Sequence, residues 1–146
     1  MTLTLRLLVF TSVLLASSCV STSGHIEPAD VVRNKFAAVN RHDLRAVTGS
    51  YAPDARLMAS DFCAPRLGRQ EVERTYRGLF ESIEDLSVQL DEVVPDGNRV
   101  AVRFRVQGAA GGRRFEVPIA NFFEVREGLI VYDLGVFDNG KRACRQ

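Results

Sequence analysis

Val100-Ala-Val-Arg-Phe-Arg-Val106 alternates apolar and polar side chains along its whole length, the mark of a strand buried on one face. Val100, Val102, Phe104 and Val106 form the inner set, opposite Ala101, Arg103, Arg105 and Gln107. Gly108 to Gly112 turns the chain into a second strand carrying Phe115, Val117, Ile119, Asn121, Phe123 and Val125 on one face, and a last strand runs from Leu129 to Phe137. Upstream, Val88, Leu90, Val93 and Val94 lead into the turn cluster Pro95-Asp96-Gly97-Asn98. Four long strands joined by short connections make an antiparallel meander.

Everything before them reads as helix, broken once. Pro28 suits a first helical turn, and Val32, Phe36 and Val39 recur at helical spacing up to Asn40-Arg41-His42. Asp43 can cap a second helix in which Leu44, Val47 and Tyr51 share a face, with Pro53-Asp54 ending it. Arg56 to Ala59 is a short strand, and Asp61 to Gly68 a turn region around another. The clearest helix follows Gly68, with Val72, Tyr76, Leu79, Phe80 and Ile83 on one stripe. The pattern predicts a single α+β domain, three helices followed by the meander.

With 146 residues, 46% of them hydrophobic and 25% charged, the chain is an ordinary globular domain rather than a tail or linker. Nineteen basic residues against eighteen acidic give a formal charge of +1, which offers no nucleic-acid footprint. Two His and three Cys could form a four-ligand zinc site only if nearly all of them converged, so no metal and no cofactor is expected.

Residues 1–18 read as an export signal: Arg6, then the uncharged run Leu7 to Ala16, too short to span a bilayer, then Ser17-Ser18 before Cys19. Leu15-Ala-Ser-Ser-Cys19 resembles a bacterial lipobox, although Ala16 stands where that pattern usually has Leu. It implies lipidation of Cys19, a membrane anchor and residence in the cell envelope. A plain secretory signal cut at the same place is the rival. Residues 19–27 then form a tether and 28–146 the domain. In an oxidising compartment Cys63 and Cys144 are an even pair, and a disulfide between them is favoured over two unpaired thiols.

The order helix, helix, short hairpin, helix, long strands resembles the SnoaL-like and ketosteroid-isomerase-like branch of the nuclear-transport-factor-2-like superfamily. The residues that carry the likeness are Phe36-Ala-Ala-Val-Asn-Arg-His-Asp43, Tyr51-Ala-Pro-Asp-Ala55, Gly68-Arg-Gln-Glu-Val72 with Tyr76, and Glu127-Gly-Leu-Ile130. The resemblance implies a cone-shaped barrel, a curved, mostly antiparallel sheet wrapped around the three helices with a pocket between. It does not supply a complete catalytic set. The isomerases' base falls at Ala59, with Asp61 usable only after a register slip; their oxyanion-binding Tyr falls near Lys35 or Phe36 and their oxyanion-binding Asp near Asn121. The cyclases' acid/base Asp falls at Gly135. Arg103 and Arg105 stand where epoxide hydrolases carry an Arg and Asp pair.

Polar residues on the apolar faces are the informative ones. Asn121 interrupts its strand's inner face, and Asp133 does the same among Leu129, Val131, Gly135 and Phe137. A three-residue loop Arg126-Glu127-Gly128 pairs Val125 with Leu129 and sets Asn121 opposite Asp133. Desolvated by Phe104, Phe123 and Phe137, Asp133 would have a raised pKa and could serve as general acid/base. The rival is a hydrogen-bonded structural pair at a pocket floor. Phe36, Tyr51, Phe104, Phe123 and Phe137, with Asn121 and Asp133, are the expected pocket residues. Pairing Val106 with Phe115 sets Arg105 opposite Glu116, making the arginine-rich hairpin a solvated, partly paired face. Pro118, Ala120, Phe122, Ile130, Tyr132, Leu134 and Val136 leave the outer sheet face apolar, which favours a homodimer over a membrane or partner protein. Three functions are carried forward: a pocket for a small hydrophobic ligand or a scaffold, a proton-transferring enzyme, and an envelope interaction module.

Overall fold

The computed structural model describes residues 26–138 and 140. The expected signal, Cys19, most of the tether and Cys144 lie outside the described residues.

Three helices and six strands follow in the order α1 (Pro28–Asn40), α2 (Leu44–Gly49), β1 (Tyr51–Ala59), β2 (Arg66–Leu67), α3 (Arg69–Ser82), β3 (Glu84–Asp96), β4 (Arg99–Ala110), β5 (Arg113–Arg126) and β6 (Leu129–Val136). They form one sheet in the order β2-β1-β6-β5-β4-β3, with β1 parallel to β6 and every other pair antiparallel. The sheet curves round the helices without closing: β2 and β3 remain as edges. Val32, Phe36 and Val39 of α1 bury their side chains against Val100, Val102, Phe104 and Phe123, each buried aliphatic contributing about 1.5–3 kcal/mol. Phe36 packs edge-on to Phe123, ring centroids 5.9 Å apart, and tilted against Phe104 at 4.7 Å.

The second helix stops earlier than its apolar spacing predicts. Asp43 caps it by accepting the Ala46 N–H at 2.9 Å, but it ends at Gly49 and Tyr51 opens β1. Pro53 therefore sits inside a strand. It falls where the register with β6 shifts between Tyr51 and Arg56, so no regular ladder requires its missing N–H. Pro95 is tolerated on the edge strand β3, and only Gly97 and Asn98 form that turn, Gly97 taking φ +57°.

Two hairpins are tighter than their sequences suggest. Ala110 pairs with Arg113 around Gly111-Gly112, both at positive φ, so Gly108 rather than Val106 faces Phe115. Arg105 lies opposite Pro118, yet still reaches Glu116 diagonally at 3.5 Å and Asp91 at 3.0 Å. Likewise Arg126 pairs with Leu129 around Glu127-Gly128, with φ of +52° and +75°. The non-glycine residue accepts the left-handed conformation, so the loop has two residues and not three.

The free edge of β3 is held by the last residue of α1 and the loop that follows it. Asn40 donates Nδ2 to the Val88 carbonyl at 2.9 Å and accepts the Val88 N–H at 2.6 Å, as a neighbouring strand would, while the His42 ring bonds the Leu86 carbonyl at 2.8 Å.

Candidate functional site

The inner faces of α1, α3 and the sheet enclose a cavity of about 140 Å³ whose polar lining residues include Lys35, Tyr76, Asn121 and Asp133. Its apolar wall includes Phe36, Phe62, Phe104 and Phe137. Of the expected pocket residues, Phe36, Phe104, Asn121, Asp133 and Phe137 line it; Tyr51 and Phe123 do not. Both are packed behind the wall, Tyr51 wholly buried and reaching Asp133 from the far side.

Asp133 reaches the inner face through a bulge. The β5–β6 register shifts between Glu124 and Val125, so that Val125 pairs with Ile130 but Glu124 with Tyr132. Ile130 and Asp133, an odd number of residues apart, then both point inward and are buried. Ile130 is therefore core, not outer face. Asn121 pairs with Gly135, not with Asp133, which faces Phe123. The two nonetheless meet across the diagonal, Asn121 Nδ2 donating to Asp133 Oδ1 at 2.6 Å.

The carboxylate's other oxygen, Oδ2, accepts the Tyr51 hydroxyl at 2.6 Å. Tyr51 has one proton and gives it to Asp133, so in the 3.3 Å contact with Tyr76 it is Tyr76 that donates. Burial, then the negative charge of Asp133, hold the Tyr51 phenol well above its ordinary pKa, which keeps it a donor. Burial pushes the Asp133 carboxyl up from its ordinary value, while the charge of Lys35 and the hydrogen bonds from Tyr51 and Asn121 pull the other way.

Asn121 is only half satisfied. With Nδ2 committed to a carboxylate that cannot donate, Oδ1 has no partner among the described residues, an omission costing about 1–3 kcal/mol in a buried site. Gly135 makes room for it, since a Cβ there would lie 3.1 Å from that oxygen. Lys35, which the sequence offered only as a position near the isomerases' oxyanion-binding Tyr, joins the site in its own right. It is 2% exposed, with Nζ 3.9 Å from the centre of the Phe36 ring and 5.2 Å from those of Tyr76 and Phe123. Its signal was present: Lys35 falls between Val32 and Val39 on the apolar stripe of α1, as Asn121 and Asp133 fall on strand stripes.

Other candidates lie apart. Asp61 is exposed and Ala59 lines the cavity without a polar group, while the Ser60 hydroxyl accepts the Phe137 N–H at 3.0 Å. Among the described residues, no three His, Cys, Asp or Glu side chains converge to hold a metal ion.

Residues 32–132 match the family model of the SnoaL-like domain, and the chain belongs to that family. No curated protein matches it. Among solved structures it is similar to IdmH from Streptomyces antibioticus, a candidate polyketide cyclase, at 25% identity and a TM-score of 0.70, over 78% of this chain and 94% of that one. An NTF2-like protein from Burkholderia thailandensis is 26% identical with a TM-score of 0.70, covering 77% and 92% of the two chains. An epoxide hydrolase from Mycobacterium tuberculosis shares the fold at 19% identity and a TM-score of 0.68, over 76% and 82%.

The raised Asp133 pKa has a signed consequence for stability. A carboxyl whose folded pKa exceeds its unfolded value contributes stability that is fully present below the unfolded value, about 3.9, and lost as pH rises through the folded one. Urea denaturation of wild type and Asp133→Asn at stepped pH is expected to show wild type gaining relative stability as pH falls through that window. A difference that stays flat from about pH 4 to 8 would mean that the carboxyl titrates normally.

Proposed function

We propose that this SnoaL-like domain binds a compact, largely apolar small molecule in its cavity, with the molecule's polar group against Asn121 and Asp133. The observation that carries the reading is that Asn121, whose buried Oδ1 has no partner among the described residues, is one of the residues lining the cavity, where a donor brought in by a ligand would satisfy that acceptor. The volume sets the class of ligand. At about 140 Å³ the cavity is close to those that take benzene, roughly 150 Å³, and below the roughly 300–1,000 Å³ of drug-sized pockets. A single ring bearing a hydroxyl or amide fits that bound; a steroid or folded polyketide exceeds it.

A second reading, proton transfer by Asp133, is supported by the raised pKa of a carboxyl on the cavity wall. The pH dependence described above measures that carboxyl directly, and an ordinary pKa removes the reading.

The domain is further proposed to work in the bacterial envelope, exported by residues 1–18 and anchored through lipid on Cys19. Phe122 and Val136, 49% and 47% exposed on the outer sheet face, support self-association there. A disulfide between Cys63 and Cys144 would suit that compartment.

Benzyl alcohol titrated into labelled protein is expected to shift the amide signals of Asn121, Gly135 and Ala59, with Asn121→Leu weakening binding about fivefold or more through loss of the acceptor. No shift at millimolar ligand, or equal affinity in Asn121→Leu, would refute the pocket. Intact mass of the protein purified from bacterial membranes should give a chain beginning at acylated Cys19; an unmodified Cys19 counts against the anchor. Sedimentation equilibrium should find a dimer that Phe122→Glu converts to monomer at unchanged circular dichroism.

A further inference from the structure

The chain carries its positive charge almost entirely on arginine. Seventeen of the nineteen basic residues are Arg, and the two lysines are Lys35 and Lys141. Surface positions that pair with carboxylates, such as Arg74 with Glu71 and Arg105 with Asp91, use the guanidinium fork. One of the two primary side-chain amines is instead spent inside the cone, 2% exposed and lining the cavity. A guanidinium could supply charge there; only an amine supplies a nucleophile.

The surroundings of Lys35 engage that amine through ring faces and the charge of Asp133. No hydrogen bond or ion pair holds Nζ among the described residues, and its near neighbours are three aromatic rings. Asp133, the nearby carboxyl whose charge Lys35 helps to compensate, takes its hydrogen bonds from Tyr51 and Asn121 and not from Nζ. The amine therefore faces a cavity partly walled by aromatic rings, beside a carboxyl group held in place, and an amine set among apolar groups is one setting in which lysines attack carbonyl carbon.

We propose that Lys35 forms an imine with a small aldehyde or ketone bound in the cavity, an inference that rests on the pocket reading above and narrows its ligand to a carbonyl compound. In the step, the lone pair of uncharged Nζ forms a bond to the carbonyl carbon while the C=O π pair moves to oxygen. The oxygen takes up the proton that nitrogen sheds. The resulting hydroxyl leaves with a second proton as water as the C=N bond forms. Amine and carbonyl give imine and water, with no oxidant or reductant. The unpartnered Asn121 Oδ1 offers an acceptor to the hydroxyl of the tetrahedral adduct.

Benzaldehyde, a single ring with one carbonyl, is the probe, trapped with sodium cyanoborohydride, which delivers hydride to the imine and leaves a stable secondary amine. Peptide mapping of wild-type protein should find one benzyl group on Lys35, placed at least about tenfold faster than on Lys141 or the N-terminal amine, and none on Lys35→Arg. Labelling of Lys141 and the N-terminus at the same rate as Lys35, or faster, overturns the proposal. Benzyl alcohol, which binds without reacting, separates the two readings. If it shifts the cavity amides and Lys35 is not labelled, the nucleophile falls and the pocket stands; if neither occurs, both fall. Lys35→Met with intact benzyl alcohol binding controls for a collapsed cavity.

Discussion

The buried carboxylate of Asp133 is the constraint around which the rest of the interior is arranged. A charge of this kind taken out of water costs several kcal/mol unless its oxygens are bonded and an opposite charge is near. Each condition is met by a different element: Tyr51 from β1, Asn121 from β5 and Lys35 from α1. Three segments far apart in sequence are thereby tied to one atom group on β6. Arg69 at the start of α3 donates to the Tyr51 carbonyl at 2.8 Å, and so holds one of the two residues that hydrogen-bond the carboxylate. Removing any one partner leaves the carboxylate less compensated without making the site apolar.

Much of this was legible from residue patterns, and the failures have a common cause. The alternation in Val100–Val106 and the stripes of α1 and α3 located the layers, because burial imposes a period that the side chains must follow. Asn121 and Asp133 stood out as polar residues on apolar faces, and they do meet. What the pattern did not supply was register. Glu127 adopts φ +52°, against the usual preference for glycine, and shortens a hairpin by one residue; that alone would have turned Asp133 outward. The bulge opposite Glu124 and Val125 adds a second one-residue shift in the same direction. At Asp133 the two sum to two residues, which keeps its side chain on the inner face but moves its partner from Asn121 to Phe123; at Ile130 only the first has acted, so that residue turns from the outer face into the core. Tyr51 misled for a related reason. Its spacing from Leu44 and Val47 fits a helix, but β1 places it just as deep, and depth was all that the spacing recorded.

Lys35 was missed as a site residue in its own right through a bias in weighing residue types rather than through hidden geometry. Lysine on a helix is ordinarily taken as a solvated end to an apolar stem, and its position between Val32 and Val39 was read past. Counting across the whole chain corrects this, because a lysine in a protein that otherwise writes its cations as arginine is a departure wherever it falls.

The small volume of the cavity also follows from how the carboxylate is held. Gly135 leaves room for the Asn121 amide and lines the cavity, while Phe36, Phe104 and Lys35 line it as well. Enlarging the pocket toward the size of a multi-ring substrate would require removing one of these aromatics, which share the cavity lining with Asp133. In the cyclase pattern that the sequence resembles, the acid/base falls at the position of Gly135, one inward-facing residue further along β6. With glycine there and the carboxylate two residues earlier, this chain has kept the charge deep and the space above it small.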